Sequence, residues 1–69
     1  MSAAPSAVMV DARGLRCPWP VLRLARAMRD AGVVTILADD PAAPAEIAAL
    51  ADARGWRVSA IEGGFEVHE

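Results

Sequence analysis

Near the middle of the chain stand Val33-Val34-Thr35-Ile36-Leu37, four of them β-branched and all but Thr35 apolar. Continuity and branching of this kind read as a strand buried on both faces or nearly so. A helix-period stripe precedes it, with Val21, Leu24, Ala25, Met28 and Ala31 at i, i+3, i+4 and i+7 spacing. Gly32 follows as a candidate helix stop. A second stripe comes after, with Ile47, Leu50, Ala51 and Arg54, a possible start at Pro44 and a possible stop at Gly55. Upstream, Val8-Met9-Val10 is a short β-prone run ended by Asp11. Downstream, Trp56, Val58 and Ala60 alternate with Arg57 and Ser59, which predicts a half-buried strand. Gly63-Gly64 signals a hairpin, and Phe65 and Val67 alternate with Glu66 and His68 in a last strand. The order is β-α-β-α-β-β. The first β-α-β unit should pair in parallel and the final hairpin antiparallel. The expected fold is an α/β two-layer sandwich, with two helices on one face of a mixed four-stranded sheet.

Size limits what such a sandwich can contain. The chain has 69 residues and fits one domain, read here as residues 8–69 with residues 1–7 as a flexible tail. Of its apolar residues 16 are Ala, leaving 22 larger side chains for one thin core without a deep pocket. A single Cys cannot form an internal disulfide, and one Cys with one His falls short of a structural zinc site. The residues call for no metal and no cofactor. Whatever chemistry exists rests on few residues near the surface.

The net charge is −2, and all seven basic residues are Arg. Arg13, Arg16, Arg23, Arg26 and Arg29 cluster in the first half, while Glu46, Asp52, Glu62, Glu66 and Glu69 lie in the second. The arginine row is either a solvated helix face or a docking surface for an acidic partner or RNA. Net acidity, absent Lys and a single exposed aromatic near the row weigh against direct nucleic-acid binding. No stretch approaches the roughly 20 apolar residues of a membrane span. Met1 to Ala7 lack the pattern of a signal peptide. A cytoplasmic protein with a reduced thiol is expected.

The segment Asp11-Ala12-Arg13-Gly14-Leu15-Arg16-Cys17-Pro18-Trp19-Pro20 joins the first strand to the first helix. Cys17 stands just before the helix, with Pro18 suited to the first helical position. Unpaired N–H groups and the positive helix end there favour a thiolate and lower its pKa, and Arg13 and Arg16 would act in the same direction. The prolines stiffen the turn and present Cys17 outward. Trp19, between them, is either a packing residue or a partner contact. No nearby residue reads as a catalytic base. His68, on the polar side of the last strand, reads as solvent-exposed rather than as a partner of Cys17. No second Cys exists to make a Cys-x-x-Cys redox pair. A nucleophile without base or pocket suggests a carrier that accepts a group and passes it on.

Asp11, Gly14, Leu15, Cys17, Pro18 and Pro20 match the Asp-x-x-Gly-Leu-x-Cys-Pro-x-Pro signature, so the chain resembles the TusA-like (SirA/YedF) sulfur carriers. Asp39-Asp40-Pro41-Ala42 resembles the family's second segment, and the resemblance covers the chain from Val8 onward. It implies that Cys17 accepts sulfane sulfur as a persulfide from a cysteine desulfurase or rhodanese-type protein. The sulfur then passes to an acceptor protein serving tRNA thiolation, molybdenum-cofactor or molybdoenzyme maturation, or sulfur oxidation. Such a protein is a sulfurtransferase-type carrier rather than a stand-alone turnover enzyme, a monomer that forms transient heterocomplexes. Arg13, Arg16, Trp19, Arg23 and Arg26 are candidate partner contacts. Trp19 is bulky at the signature's variable position, and Glu46-Ile47 stands where many members have Asp-Ile. Asp11 is expected to cap its turn. Asp39 and Asp40 either cap the second helix, the favoured role, or line the surface near Cys17.

Two other classes compete with the carrier: a regulatory or RNA- or protein-binding module in which Cys17 is incidental, and a redox sensor that oxidises at Cys17. From sequence, Cys17 is expected to alkylate faster at neutral pH than a free thiol with pKa about 8.5.

Overall fold

The computed structural model describes residues 7–69. Its elements are β1 (Ala7–Asp11), α1 (Trp19–Met28), β2 (Val33–Leu37), α2 (Ala43–Arg54), β3 (Arg57–Ile61) and β4 (Gly64–His68). The sheet runs β1-β2-β4-β3, with β1 and β2 parallel and both other pairings antiparallel. This is the mixed four-stranded α/β sandwich expected. Ala7, expected in the tail, opens β1; residues 1–6, the rest of that tail, lie outside the described residues.

Burial explains the layering. Val34 and Ile36 of β2 and Val67 of β4 point to one side of the sheet, where they meet Leu24 of α1 and Ile47 of α2; all five are fully buried. Each such side chain contributes about 1.5–3 kcal/mol by leaving water. Ala12, Ala31 and Ala43 are buried in the same cluster.

Two strands differ from expectation. In β2, Val34 and Ile36 are buried but Val33, Thr35 and Leu37 are only half-buried. Both helices lie on one face, so a central strand has cover on one side only. In β3 every residue is exposed, including Val58 and Ile61. It is an edge strand beyond β4, at the margin of what α2 covers. Trp56 instead packs against the core just before β3, and the Arg54 guanidinium stands 5.6 Å from its ring centre.

The helix ends are also adjusted. α1 begins at Trp19, with Pro18 as its N-cap and Pro20 as the second residue. It ends at Met28, and a tighter turn follows in which the Arg29 and Asp30 N–H groups reach Arg26 and Ala27 carbonyls at 3.2 Å. Gly32 therefore does not stop this helix. α2 starts at Ala43, which makes Pro44 its second residue, and Gly55 caps it at φ 74° as expected. Among the described residues no helix is long and apolar enough to cross a membrane.

The two glycines of the hairpin have separate tasks. Gly63 lies in the turn at φ 77°. Gly64 is already in β4, and a Cβ there would sit 2.0 Å from the Ile36 carbonyl oxygen on β2. Gly63→Ala should cost about 1 kcal/mol of left-handed strain. Gly64→Ala should cost about 3 kcal/mol or more, because backbone must move. Urea unfolding of the two variants checks this, and equal losses would contradict it.

Candidate functional site around Cys17

Parallel pairing of β1 and β2 brings the segments that follow them to one end of the sheet. The Ala12 N–H extends the pairing by donating to the Leu37 carbonyl at 2.7 Å, and Ala12 is fully buried. The chain then turns through Gly14 at φ 82°, with the Leu15 N–H on the Ala12 carbonyl at 3.2 Å. Asp39 and Asp40, which follow β2, hold this loop from the side. Asp39 Oδ1 accepts the Gly14 N–H and Asp40 Oδ2 accepts the Cys17 N–H, both at 2.9 Å. These carboxylates therefore line the Cys17 surface; α2 has no side-chain cap, contrary to the favoured expectation. Arg16, Leu15, Gly14, Asp39, Asp40 and Pro41 line a shallow, open groove beside the loop.

Cys17 is exposed. Its thiol donates a hydrogen bond to Glu46 Oε2, from the first turn of α2. The neighbouring residue, Ile47, is fully buried and anchors that turn. The other carboxylate oxygen, Glu46 Oε1, is buried without a hydrogen-bond partner. A group left in that state costs about 1–3 kcal/mol.

This contact overturns two expectations. A carboxylate that accepts the thiol's hydrogen bond does stand beside it, and the thiol pKa is pushed up rather than down. The bond to Glu46 is the largest cause, followed by desolvation and by the negative charges of Glu46 and Asp40. The expected opposing influences are weak. The Trp19 N–H is occupied by the Arg16 carbonyl at 2.8 Å, and Pro20 has none to offer. Arg13 is held by Asp11, with Nε and Nη2 at 2.9 and 2.8 Å from its two oxygens. Asp11 also accepts the Arg13 backbone N–H at 3.1 Å, which is the turn-capping role expected of it. The Arg13 guanidinium and N–H hold the Asp11 carboxyl at about 2.

The other candidates scatter. Trp19 is 58% exposed and not part of the core. Arg23 and Arg26 line a separate groove with Met9, Val10, Asp11 and Ala27, between β1 and α1. His68 pairs with Glu66 Oε1 at 2.9 Å. It lies opposite Val33, at the start of β2, whereas Cys17 lies beyond the Leu37 end. Pro18 and Pro20 flank Trp19 at the start of α1, where Pro20 is buried and Pro18 is exposed. Among the described residues no group of three or more His, Cys, Asp or Glu is placed to hold a metal. Glu46 was missed as a partner of Cys17. Its signal was an acidic residue in the first turn of the helix that follows the second parallel strand, which opens at the same sheet end as Cys17.

Two titrations follow. Native Cys17 should alkylate with a pH midpoint above the ordinary thiol value of about 8.5 seen in denaturant; a native midpoint below it would contradict the geometry. Because the folded state keeps this proton longer, folding stability should decline as pH rises through the ordinary thiol range. Asp11 should titrate near 2 by carboxyl-carbon NMR and return toward about 3.9 in Arg13→Ala. Its contribution to stability is present above about 3.9 and lost as pH falls toward 2, and salt should weaken it because the pair is exposed.

Comparison with known proteins places the chain in a family. The family model described as "Sulfurtransferase TusA" matches residues 8–68. A protein of Archaeoglobus fulgidus described as "Putative sulfur carrier protein" is 43% identical over 56 residues, spanning 77% of this chain and 73% of its own. The crystal structure of a SirA-like protein from Desulfitobacterium hafniense superposes with a TM-score of 0.74 at 31% identity. It covers 87% of this chain and 90% of that one. The match over nearly the whole described fold, together with the Cys17 loop that carries the signature, makes this chain a member of the TusA family.

Proposed function

We propose that this protein is a sulfur carrier that accepts sulfane sulfur as a persulfide on Cys17 and relays it to an acceptor protein in the cytoplasm. The observation that supports it is the placement of the chain's single Cys. It is exposed on a loop anchored by two carboxylates, with a shallow open groove rather than an enclosed cavity beside it. Such a sulfur can enter a partner's site, take up a group and leave with it.

The chemistry balances without an oxidant. The Cys17 sulfur attacks the outer sulfur of a donor persulfide, R–S–SH. A new Sγ–S bond forms, the donor S–S bond breaks, and the donor thiolate takes the proton that Cys17 gives up. The products are Cys17–S–SH and RSH. Delivery reverses the roles at the acceptor. A cysteine desulfurase or a rhodanese-type protein is the donor in this reading. Acceptors in tRNA thiolation, molybdenum-cofactor or molybdoenzyme maturation, or sulfur oxidation are its destinations.

The redox-sensor reading is disfavoured because Glu46 holds the Cys17 thiol in the free protein, where a sensor must react without a partner. The RNA-binding reading is disfavoured by Arg13 being paired with Asp11 and by the carboxylates around the loop.

Intact mass after incubation with a desulfurase and cysteine tests the proposal. One added sulfur is expected, removable by dithiothreitol and absent in Cys17→Ser. Oxygen adducts alone with every sulfur donor, or sulfur retained in Cys17→Ser, would contradict it.

A further inference from the structure

The resting thiol is bound to a carboxylate, an arrangement that opposes attack on a sulfur donor. Glu46 Oε2 accepts a hydrogen bond from the Cys17 thiol, and Glu46 Oε1 is buried with no partner. Asp40 Oδ2 holds the Cys17 N–H and adds a second negative charge near the sulfur. From the β1 side Arg13 is turned to Asp11, and Arg23 and Arg26 belong to the groove between β1 and α1. Arg16, in the same loop, makes no hydrogen bond to the sulfur or to either carboxylate. Despite the arginines of the first half, the surface at the sulfur is therefore acidic on its α2 side.

We infer that Glu46 is a positioning residue that holds Cys17 as a neutral thiol in the free protein, and that the sulfur donor releases it by setting a cationic side chain against Glu46 and Asp40. The inference rests on Cys17 being the sulfur-bearing residue. Its physical logic is a competition for one carboxylate. A weak thiol donor occupies Oε2, and Oε1 lacks any donor. An arriving guanidinium or ammonium is a far better partner, and turning the carboxylate outward gives both oxygens a donor. The thiol then loses its acceptor and the local negative charge is offset, so the Cys17 sulfur gains nucleophilicity as it attacks the outer sulfur of the donor persulfide. The proton goes to the departing donor thiolate. A free carrier meanwhile stays unreactive toward stray electrophiles. Once loaded, Sγ carries no hydrogen, and the original contact cannot re-form until the sulfur is delivered.

The test needs no partner protein. Cys17 modification is followed with neutral iodoacetamide across pH, and at pH 7 with a cationic and an anionic methanethiosulfonate of similar size. The unaltered protein should react faster with the cationic reagent. Glu46→Gln keeps an acceptor but removes the charge. It should lower the alkylation midpoint, raise the pH 7 rate about threefold or more, and shrink the preference for the cation. Glu46→Asp should restore a midpoint above that of Glu46→Gln. Asp40→Asn, which can still accept the Cys17 N–H, should shift reactivity in the same direction as Glu46→Gln by a smaller step. An unchanged or higher midpoint in Glu46→Gln would overturn the inference. So would equal rates with the two charged reagents in the unaltered protein, a readout independent of whether any variant folds. Failure of persulfide loading by mass would overturn the carrier reading while leaving these reactivities untouched.

Discussion

The structure around the sulfur depends on two backbone N–H groups bound by side chains from a different strand connection. Asp39 and Asp40 follow β2, and they hold Gly14 and Cys17, which follow β1. Parallel pairing makes this possible, because it delivers both chain ends to the same edge of the sheet. Without these bonds the loop between β1 and α1 would keep the Arg13 turn and the local Leu15-to-Ala12 bond, but the Cys17 backbone would lose its tie to the β2 end. Each such bond to a charged acceptor contributes about 1.5–3 kcal/mol. In a domain of this size, that is a large share of the stability that holds any one conformation.

The same arrangement decides the electrostatics. Counting charges along the chain makes the first half basic, and Cys17 lies within it. Folding changes which charges the sulfur meets. Arg13 is neutralised locally by Asp11, two residues away, and the carboxylates of Asp40 and Glu46 arrive from beyond β2. Sequence proximity places arginines near the thiol; local pairing occupies Arg13, and the fold brings two acids to the sulfur. A helix start would ordinarily favour a thiolate, but two of its first residues here are prolines or already hydrogen-bonded.

Much of the fold was legible because its signals are local. The helical stripes before Gly32 and Gly55, the continuous run at Val33–Leu37 and the glycines at 55, 63 and 64 are all readable within a few residues, although the first helix stops short of Gly32, at Met28. The Cys17 loop was legible too, since Gly14, Cys17 and the two prolines all fall between positions 14 and 20. What was not legible depends on sheet order. Inserting β4 between β2 and β3 sends β3 to the edge and leaves Val58 exposed, although its alternation matched that of a half-buried strand. Glu46 escaped for a related reason. Its meeting with Cys17 spans 29 positions and depends on how α2 sits over the sheet end.

Together these features describe a small protein whose single thiol is exposed yet hydrogen-bonded to a carboxylate of its own fold. The most direct measurement is the side-chain NMR of Cys17 in the free protein across pH. The Cys17 β-carbon is predicted to titrate above the ordinary thiol range, because its proton is bonded to Glu46. A β-carbon that titrates below that range would contradict this.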